Sequence, residues 1–419
     1  MENRPFDLAV VGAGLNGSLL ALAAGEAGLR TALIDKTPLH AMVAAGFDGR
    51  TTAIANTSQR LFEALGLWAD LAADAEPILD IRISDAGHDG KASPLFLHFD
   101  HREAAAEGET AAPMGWIVEN RFLRAALLRR LAACKHVELI APDEALETKR
   151  DTHRAEIALK SGRTIGSSVV ASAEGRFGSM REDAGIGART WSYHQTAIVL
   201  VARHENPHGG VAQEKFLPGG PFAILPMRDS EAGEHRSSIV WTERADLAKR
   251  LLALDAPSFQ AEFARRFGDF LGAVEPVGPR FSHPLGLVHA DRYIDRRLVL
   301  VGDAAHGIHP IAGQGVNLGF RDAAALAEVL IEGVRLGLDP GDAQLLQRYE
   351  RWRGLDTFSV AAATDGLTRL FGVPGRAASR VRRLGIGIVE RVPPLKDFFM
   401  AEARGESGAL PRLLSGQAI

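Results

Sequence analysis

The stretch LVLVGDAAHGIHPIAGQGVNLGFRDAAALAEVL places one carboxylate, two histidines, a proline and several glycines between an apolar strand and a helix. Asp303 can accept hydrogen bonds from sugar hydroxyls. Pro310 fixes its own φ angle and stiffens the turn. Gly313 and Gly315 let backbone N–H groups approach a flat ring, and a helix N-terminus there favours negative charge on that ring. The pattern predicts a ligand-binding turn, and the alternative is an ordinary strand-to-helix connection.

The two histidines of this stretch, His306 and His309, have the spacing HxxH, which is also found in metal sites. Neither an acidic residue nor a third histidine stands at a ligand spacing beside them, and zinc needs at least three protein ligands. We therefore predict no metal site here. Taken alone, both histidines are interpreted as structural residues.

A second glycine-rich turn, at the start of the chain, belongs to the elements that must position this stretch. The strand pattern DLAVV is followed by GAGLNG, the apolar helix SLLALAAGEAG and a second strand, TALID. Gly12 permits a tight turn, Gly14 lets a pyrophosphate approach the backbone, and Gly17 lets the helix pack close to the strand. An acid that ends the second strand, at this distance from the turn, can bind a ribose hydroxyl. The context favours dinucleotide binding over a structural turn, with Gly12, Gly14, Leu15, Asn16, Gly17, Asp35 and Lys36 as the predicted contacts.

Composition and charge limit the kinds of protein that this chain can be. Its 419 residues are 46% hydrophobic and 24% charged, which is typical of globular proteins with two or three domains. The formal net charge of −4 gives no reason to expect nucleic acid as a partner. Cys134 is the single cysteine, which excludes an intramolecular disulfide and a thiolate-rich metal site. The sequence shows neither a targeting segment nor an apolar run that spans a bilayer, so we expect a cytoplasmic protein.

The pattern of elements along the chain predicts an α/β fold with a discontinuous dinucleotide-binding domain. Segments between Trp191 and Pro284, such as HQTAIVLVARH and RSSIVWTER, have the pattern of longer strands, which indicates the sheet of a second domain. The α/β pattern returns at RLVLVGDAAH, and RFLRAALLRRLAAC is an amphipathic helix. We predict a Rossmann-like dinucleotide-binding domain over residues 1–75, 101–182 and 285–340, an inserted β-sheet substrate domain over 76–100 and 183–284, and C-terminal helices over 341–419.

Several segments give the chain a family resemblance over nearly its whole length. VGDAAH and HPIAGQGVNLGFRD, together with WIVENRFLRAAL, FLPGGPFAILPM and RVPPLKDFFMAEARG, resemble the class A FAD-dependent aromatic hydroxylases, which share the p-hydroxybenzoate hydroxylase fold. The resemblance is strongest to the ubiquinone-biosynthesis branch, the 2-polyprenylphenol and 2-polyprenyl-6-methoxyphenol hydroxylases. It implies FAD as the cofactor, with Asp303 at its ribityl chain.

The resemblance also assigns further residues to the cofactor. It implies a loop beside the flavin ring that contains His309, Pro310, Gly313, Gln314 and Gly315, and no side chain is assigned as a catalytic base. The remaining implied contacts are Arg50, Asn120, Glu174, Gly302, Val316 and Asn317. Arg50 has an exposed surface arginine as its alternative interpretation. Asn120 has a helix N-cap as its alternative.

Glu174 marks a departure from the family pattern. The family has an Asp-Gly pair at this place, which contacts FAD and helps to bind the nicotinamide donor, whereas this chain has Glu174-Gly175. Arg176, Ser179 and Arg181 keep their expected places. The longer acid leaves the rate of flavin reduction and the choice of electron donor open.

The activity implied by the resemblance is hydroxylation of the aromatic ring of a polyprenylated phenol in ubiquinone biosynthesis. NAD(P)H and O₂ would be the co-substrates, and a flavin C4a-hydroperoxide would carry the oxygen. Two alternatives stay open: an accessory or scaffold subunit of a quinone-biosynthesis complex, supported only by Glu174, and a hydroxylase of a soluble aromatic compound. No second GxGxxG occurs, so a separate NAD(P)H domain is excluded.

The segment 369–396 is basic and amphipathic. It contains seven arginines and lysines, Arg369, Arg376, Arg380, Arg382, Arg383, Arg391 and Lys396, against the single acid Glu390. Apolar residues alternate with them, so the segment predicts peripheral contact with the inner membrane or with a quinone-biosynthesis complex. The alternative is an ordinary helix with one solvated face.

Overall fold

The fold was analysed in a computed structural model. It describes residues 5–42, 49–86, 92–104, 111–307, 313–354, 356–357 and 376–419. The flavin-loop residues His309 and Pro310 and the basic Arg369 lie outside these ranges.

The first sheet contains the parallel strands that begin and end at the glycine turns. Its order is β17-β18-β11-β1-β2-β8, with β10 and β9 added antiparallel beside β11. Its strands are β1 (Phe6–Val11), β2 (Thr31–Ile34), β8 (Val137–Ile140), β9 (Ala145–Arg150), β10 (Ala155–Leu159), β11 (Thr164–Ser172), β17 (Ile294–Asp295) and β18 (Leu298–Leu300). β18 is apolar throughout and β1 is apolar except at Asp7, because both faces of these strands are buried, as is usual in parallel sheets. The carboxyl ends of β1 and β18 flank that of β11, which brings both predicted turns to one edge.

The second sheet is long and largely antiparallel, in the order β19-β16-β12-β15-β14-β13-β5-β6. Its strands are β5 (Asp80–Ala86), β6 (Ala92–Asp100), β12 (Ala188–His204), β13 (Val211–Leu217), β14 (Gly220–Met227), β15 (His235–Arg244), β16 (Val274–Ala290) and β19 (His306–Gly307). Successive residues of β12 face opposite sides, as strand geometry requires. Ile198 and Leu200 pack with Phe263, whereas Val201 packs with Ile386. The second face of the sheet therefore meets the C-terminal helices.

A small sheet and twelve helices complete the described fold. The small sheet has the order β3-β7-β4 and consists of β3 (Thr51–Ala55), β4 (Glu76–Ile78) and β7 (Gly115–Glu119). The helices are α1 (Leu15–Glu26), α2 (Leu39–Met42), α3 (Asn56–Ala64), α4 (Trp68–Leu71), α5 (Asn120–Ala133), α6 (Met180–Asp183), α7 (Ala245–Leu252), α8 (Ala256–Phe267), α9 (Gln314–Arg335), α10 (343–354), α11 (Arg376–Arg391) and α12 (Pro393–Arg404). None of the described helices combines the length and the apolar character that crossing a bilayer requires.

The mixed α/β fold confirms the predicted fold class. The quoted segments between Trp191 and Pro284 lie in strands β12 and β15, and two helices that were not predicted, α7 and α8, follow β15. Asp255 starts α8 as an N-cap whose side chain accepts a hydrogen bond from Ser258 N, and a proline follows in the first turn. These start signals were present in the sequence. The domain boundaries stay a prediction.

Candidate functional site

A single large cavity joins the two glycine turns to the second sheet. Its volume is about 1830 Å³, well above the roughly 300–1,000 Å³ of a pocket for a drug-sized ligand. It extends from the turn after β1, past β3 and the turn after β18, to the inner face of the second sheet and helices α11 and α12. The cavity therefore has room for a dinucleotide and a second molecule.

The turn after β1 is shaped by three glycines that do different things. Gly12 has φ +105°, and a Cβ there would lie 2.5 Å from the carbonyl oxygen of Ala173. A Cβ on Gly17 would lie 1.9 Å from the carbonyl oxygen of Gly12, so the helix packs directly on the turn. Gly14 faces open space and lines the cavity. Two glycines thus close the turn, and the third leaves room for a ligand.

Helices α1 and α9 both begin at the cavity. α1 starts after Gly14 and α9 starts after Gly313, and neither has a side-chain cap or an acidic residue in its first turn. The first N–H groups of such a helix lack partners and carry partial positive charge, which favours anions. Leu15, Gly315 and Val316 line the cavity beside these ends. Gln314 begins α9, and its side chain lies outside the described atoms.

Asn16 links the two turns. A Cβ on Gly302 would lie 2.3 Å from the Asn16 amide nitrogen, and one on Gly319 would lie 2.2 Å from it, so both glycines make room for this side chain. The Oδ1 atom of Asn16 is buried and accepts no hydrogen bond from the described residues, while Asn16 itself lines the cavity. A buried acceptor without a partner is costly. A donor on a bound ligand would remove this cost.

Asp35 and Lys36 lie at the cavity wall directly after β2. Asp35 Oδ2 accepts from Ala13 N at 2.6 Å, and Oδ1 accepts from Thr37 N at 2.7 Å. Each carboxylate oxygen has a further lone pair, so this residue can hold the glycine turn and still accept from a sugar hydroxyl.

Asp303 faces the cavity from the turn after β18, where Gly302 has φ +62°. Its side chain is 44% exposed, and its nearest cation is Arg176, whose Nη2 lies 3.8 Å from Oδ2. Burial among protein atoms raises the pKa of Asp303, and Arg176 and His306 offset part of that rise. Arg181, itself buried, donates to the carbonyl oxygen of Ala304 and supports the same turn. Arg181 therefore supports the turn, and the Asp303 carboxylate has a long ion pair with Arg176.

Glu174 turns its carboxylate towards its own loop. Oε2 accepts from Ser172 Oγ at 3.1 Å and from Met180 N at 3.3 Å, while the residue still lines the cavity. Ser179 and Arg176 line the same wall. The additional methylene, relative to aspartate, thus serves two contacts within the loop.

Arg50 and Asn120 are brought together by the pairing of β3 with β7. Asn120 N donates to the carbonyl oxygen of Arg50 at 3.0 Å, and both residues line the cavity. The interpretation of Asn120 as an N-cap is wrong, because Glu119 holds that position and Asn120 is the first helical residue. Its Oδ1 accepts from Thr52 Oγ1 at 2.6 Å, which fixes the side chain at the cavity wall. Arg50 is exposed at the same wall.

Asn317 uses its amide within the protein. Oδ1 accepts from Ala55 N and Ser58 Oγ, and Nδ2 donates to the carbonyl oxygens of Ala53 and Gly313. An amide has two donor and two acceptor positions, and all four are used. We therefore assign Asn317 to anchoring α9 against β3 rather than to a polar contact with a cofactor.

Two cations of the basic segment are paired with acidic residues of the protein, and the predicted contact of this segment with a membrane or a complex stays a prediction. Arg382 Nε donates to Asp85 Oδ1 at 3.0 Å, with side-chain exposures of 9% and 1%. Lys396 lies within 3.1 Å of Glu390 and 2.8 Å of Glu103. These two cations hold the C-terminal helices against the protein because their charges meet buried or half-buried acids. They are not available to an anionic surface.

Comparison with known proteins places this architecture in a family. Residues 6–358 match the family described as FAD binding domain. Ubiquinone hydroxylase UbiL of Rhodospirillum rubrum is 50% identical over 413 residues, 98% of this chain and 92% of the relative. The chain belongs to the FAD-dependent hydroxylases of the ubiquinone-biosynthesis branch. The predicted FAD cofactor and the predicted enzyme class are thereby confirmed.

Further comparisons agree with this family. The 3-demethoxyubiquinol 3-hydroxylase of Escherichia coli is 33% identical over 406 residues, 97% of this chain and 100% of the relative. The crystal structure of p-nitrophenol 4-monooxygenase PnpA from Pseudomonas putida superposes with a TM-score of 0.78 at 17% identity and covers 97% of this chain and 99% of that chain. At that identity the likeness shows the fold alone. Membership in a family of hydroxylases does not favour the accessory-subunit alternative.

Several cavity residues were not assigned from the sequence. Arg124 lines the cavity one helical turn after Asn120, and this spacing on one helix face could have identified it. Thr52 supports Asn120 from another strand, and Phe177, 93% exposed, borders the cavity beside Arg176. No local sequence pattern predicts that Thr52 or Phe177 lies at the cavity.

Proposed function

We propose that this ubiquinone-branch hydroxylase inserts one oxygen atom from O₂ into the aromatic ring of a polyprenylated phenol, with NAD(P)H as the electron donor. The observation that carries the proposal is the second half of the cavity. Beyond the dinucleotide end, the wall is formed by apolar residues of the second sheet and of the C-terminal helices. These are Ile81, Ile83, Leu97 and Phe99 of the sheet on one side and Ile386, Val389, Phe399 and Ala403 of the helices on the other, and Met114, directly before β7, also contributes.

The polar end of the cavity fits FAD. The N-terminus of α1 and the open Gly14 suit the pyrophosphate, Asp35 suits the ribose, and Asp303 suits the ribityl chain. The start of α9, with Gly315 and Val316, suits the flavin ring. Bound FAD supplies electron transfer from NAD(P)H and the activation of O₂ for ring hydroxylation. The protein holds the ring of the substrate near the flavin and keeps water away from it.

The apolar end fits a prenyl tail. Burial of apolar surface is favourable by about 25 cal/mol per Å², so each buried methylene contributes about 0.8 kcal/mol. A long tail would therefore add affinity that a phenol without a tail lacks. The apolar end therefore favours a prenylated substrate over the alternative, a soluble aromatic compound, which has no tail to fill it.

The place where the enzyme encounters its substrate is also part of the proposal. A polyprenylated phenol partitions into lipid, so we propose that the enzyme works in the cytoplasm and contacts the inner membrane or a quinone-biosynthesis complex peripherally. Since Arg382 and Lys396 are buried, the contact would involve the exposed end of α11 and the start of α12. Ile388, Val392 and Phe398 are 48%, 41% and 55% exposed there.

Two glycines of α11 provide a matched test of the tail compartment. A side chain at Gly385 or at Gly387 would meet open space, but only Gly385 lines the cavity. We expect Gly385→Leu to raise KM for a polyprenylated phenol about tenfold or more and to leave an unprenylated phenol unaffected. Gly387→Leu should match the parent with both. The measurement is phenol-dependent NAD(P)H oxidation by the FAD-loaded enzyme, and equal effects of Gly385→Leu on both phenols would contradict a tail compartment.

A further inference from the structure

Asp322, in the middle of α9, is fully buried and joins three elements that are distant in sequence. Its Oδ2 accepts from Gly302 N at 2.9 Å and from His306 Nε2 at 2.5 Å, and its Oδ1 accepts from Arg353 Nε at 2.7 Å. The side chains of Asp322 and Arg353 are 0% exposed, and that of His306 is 1% exposed. No side chain of this group lines the cavity. The group is thus outside the cofactor contacts already described.

The positions that Asp322 holds are the two ends of the turn that presents Asp303. Gly302 precedes Asp303 and has φ +62°, a conformation that side-chain residues rarely adopt, and His306 follows on β19. Between them, Ala304 is held by Arg181. Within the turn, Ala305 N donates to the carbonyl oxygen of Gly302, and Ala305 O accepts from Ala290 N where the chain enters the second sheet. The Asp322 carboxylate is the side-chain acceptor that contacts both ends of the turn.

The charges explain why Asp322 stays ionised inside the protein. Burial opposes its charge, but His306 and Arg353 outweigh burial and lower the pKa of Asp322 to about 2. Arg353 is held in turn by Asp356, which also binds Arg321 at 2.7 Å. The carboxylate oxygens of Asp322 therefore point in fixed directions. Hydrogen bonds to these buried oxygens keep Gly302 and His306 in one geometry.

We propose that Asp322 is a positioning residue for FAD: it sets the conformation of the Gly302–His306 turn and thereby the place of the Asp303 carboxylate. The proposal rests on FAD occupying the cavity. It predicts that loss of the Asp322 acceptor weakens FAD binding beyond any general loss of stability.

Asp322→Asn and Asp356→Asn form a matched pair. Both remove a negative charge next to Arg353, but only Asp322 contacts the turn. In Asp322→Asn, the amide oxygen can still accept from Arg353. The NH₂ group then faces the N–H of Gly302, and two donors cannot form a hydrogen bond with each other. We expect both variants to lower the melting temperature of the apoprotein. Only Asp322→Asn should raise the Kd for FAD about tenfold or more and alter the visible circular dichroism of the bound flavin.

The Kd should be measured by titrating folded apoprotein with FAD at a temperature well below unfolding. An unchanged Kd for Asp322→Asn, or an equal rise for Asp356→Asn, would overturn the proposal and leave Asp322 a stability residue. If Asp322→Asn does not fold, His306→Leu removes one of the two turn contacts and should raise the Kd about threefold, and a parental Kd would overturn the proposal. A parent that binds no FAD would instead refute the function itself.

Discussion

The two turns that face the cavity begin alike but are stabilised differently. Each leaves a parallel strand and passes through a glycine with positive φ, but the first leads to α1 and the second to β19. The turn after β1 is stabilised by contacts between backbone atoms, since Gly12 and Gly17 lie against carbonyl oxygens. The turn after β18 depends on buried charges that come from α9 and α10. A turn of the first kind is encoded locally, whereas one of the second kind needs distant residues.

This difference explains what could be predicted from the sequence. The residues of GAGLNG determine the conformation of their own turn. For this reason β1, α1 and β2 were predicted within three residues of their observed ends. Asp303 and the glycines of its turn were found from their residue types and from the family resemblance. Asp322 stood in the same quoted stretch, but its partner Arg353 lies far along the chain and no spacing rule connects them.

The C-terminal helices show the same limit. The count of charges in the segment 369–396 could not show that Asp85 and Glu103 pair with Arg382 and Lys396, because these acids come from distant parts of the chain. The apolar wall of the cavity likewise joins residues of β5 and β6 to residues of α11 and α12. Such contacts depend on tertiary packing and are not visible in local patterns.

The largest effect is expected at the locally encoded turn. Gly17→Ala places a Cβ 1.9 Å from the carbonyl oxygen of Gly12, and the backbone cannot move without opening the turn. We expect a loss of about 3 kcal/mol in the free energy of unfolding, together with loss of FAD. Chemical denaturation and the ratio of flavin to protein absorbance measure both.

Gly14→Ala is the control for that turn. Its Cβ would meet open space and its φ of −68° suits alanine, so the stability should fall by less than about 1 kcal/mol. FAD affinity should nevertheless fall, because the methyl group occupies the approach of the pyrophosphate. Equal destabilisation by the two substitutions would show that the turn is not closed by the Gly17 contact.

An intermediate effect is expected at the second turn, where Asp303→Asn should separate stability from binding. The pKa of Asp303 is raised in the folded protein, so its ionisation at neutral pH disfavours the folded apoprotein. That penalty is fully present above the folded pKa, shrinks as the pH falls below it, and is gone below the lower, unfolded pKa. The apoprotein variant should therefore be at least as stable as the parent at pH 7, with the difference shrinking on acidification.

The same substitution should weaken FAD binding about tenfold or more, since a charge-assisted hydrogen bond is worth roughly 1.5–3 kcal/mol. Melting curves of the apoprotein at several pH values test the prediction on stability. FAD titrations at pH 7 test the prediction on binding. Parental FAD affinity in the folded variant would refute the assignment of Asp303 to the cofactor.

The smallest effect is expected at Glu174, which contributes to neither turn directly. Glu174→Asp shortens a side chain whose contacts, Ser172 and Met180, belong to its own loop. We expect the FAD Kd to stay within about threefold and the rate of flavin reduction by NADH or NADPH to be kept or increased. Stopped-flow absorbance measures that rate. A steep fall would mean that donor binding in this chain requires the longer acid.

The central claim is ring hydroxylation of a polyprenylated phenol, and isotope incorporation tests it most directly. The purified FAD-loaded protein would be supplied with NAD(P)H, a polyprenylated phenol and ¹⁸O₂, and the product analysed by mass spectrometry. The account predicts a ring-hydroxylated product with one ¹⁸O atom, formed faster than from the same phenol without its tail. NAD(P)H oxidation that yields only hydrogen peroxide, or a product whose new oxygen comes from water, would contradict it.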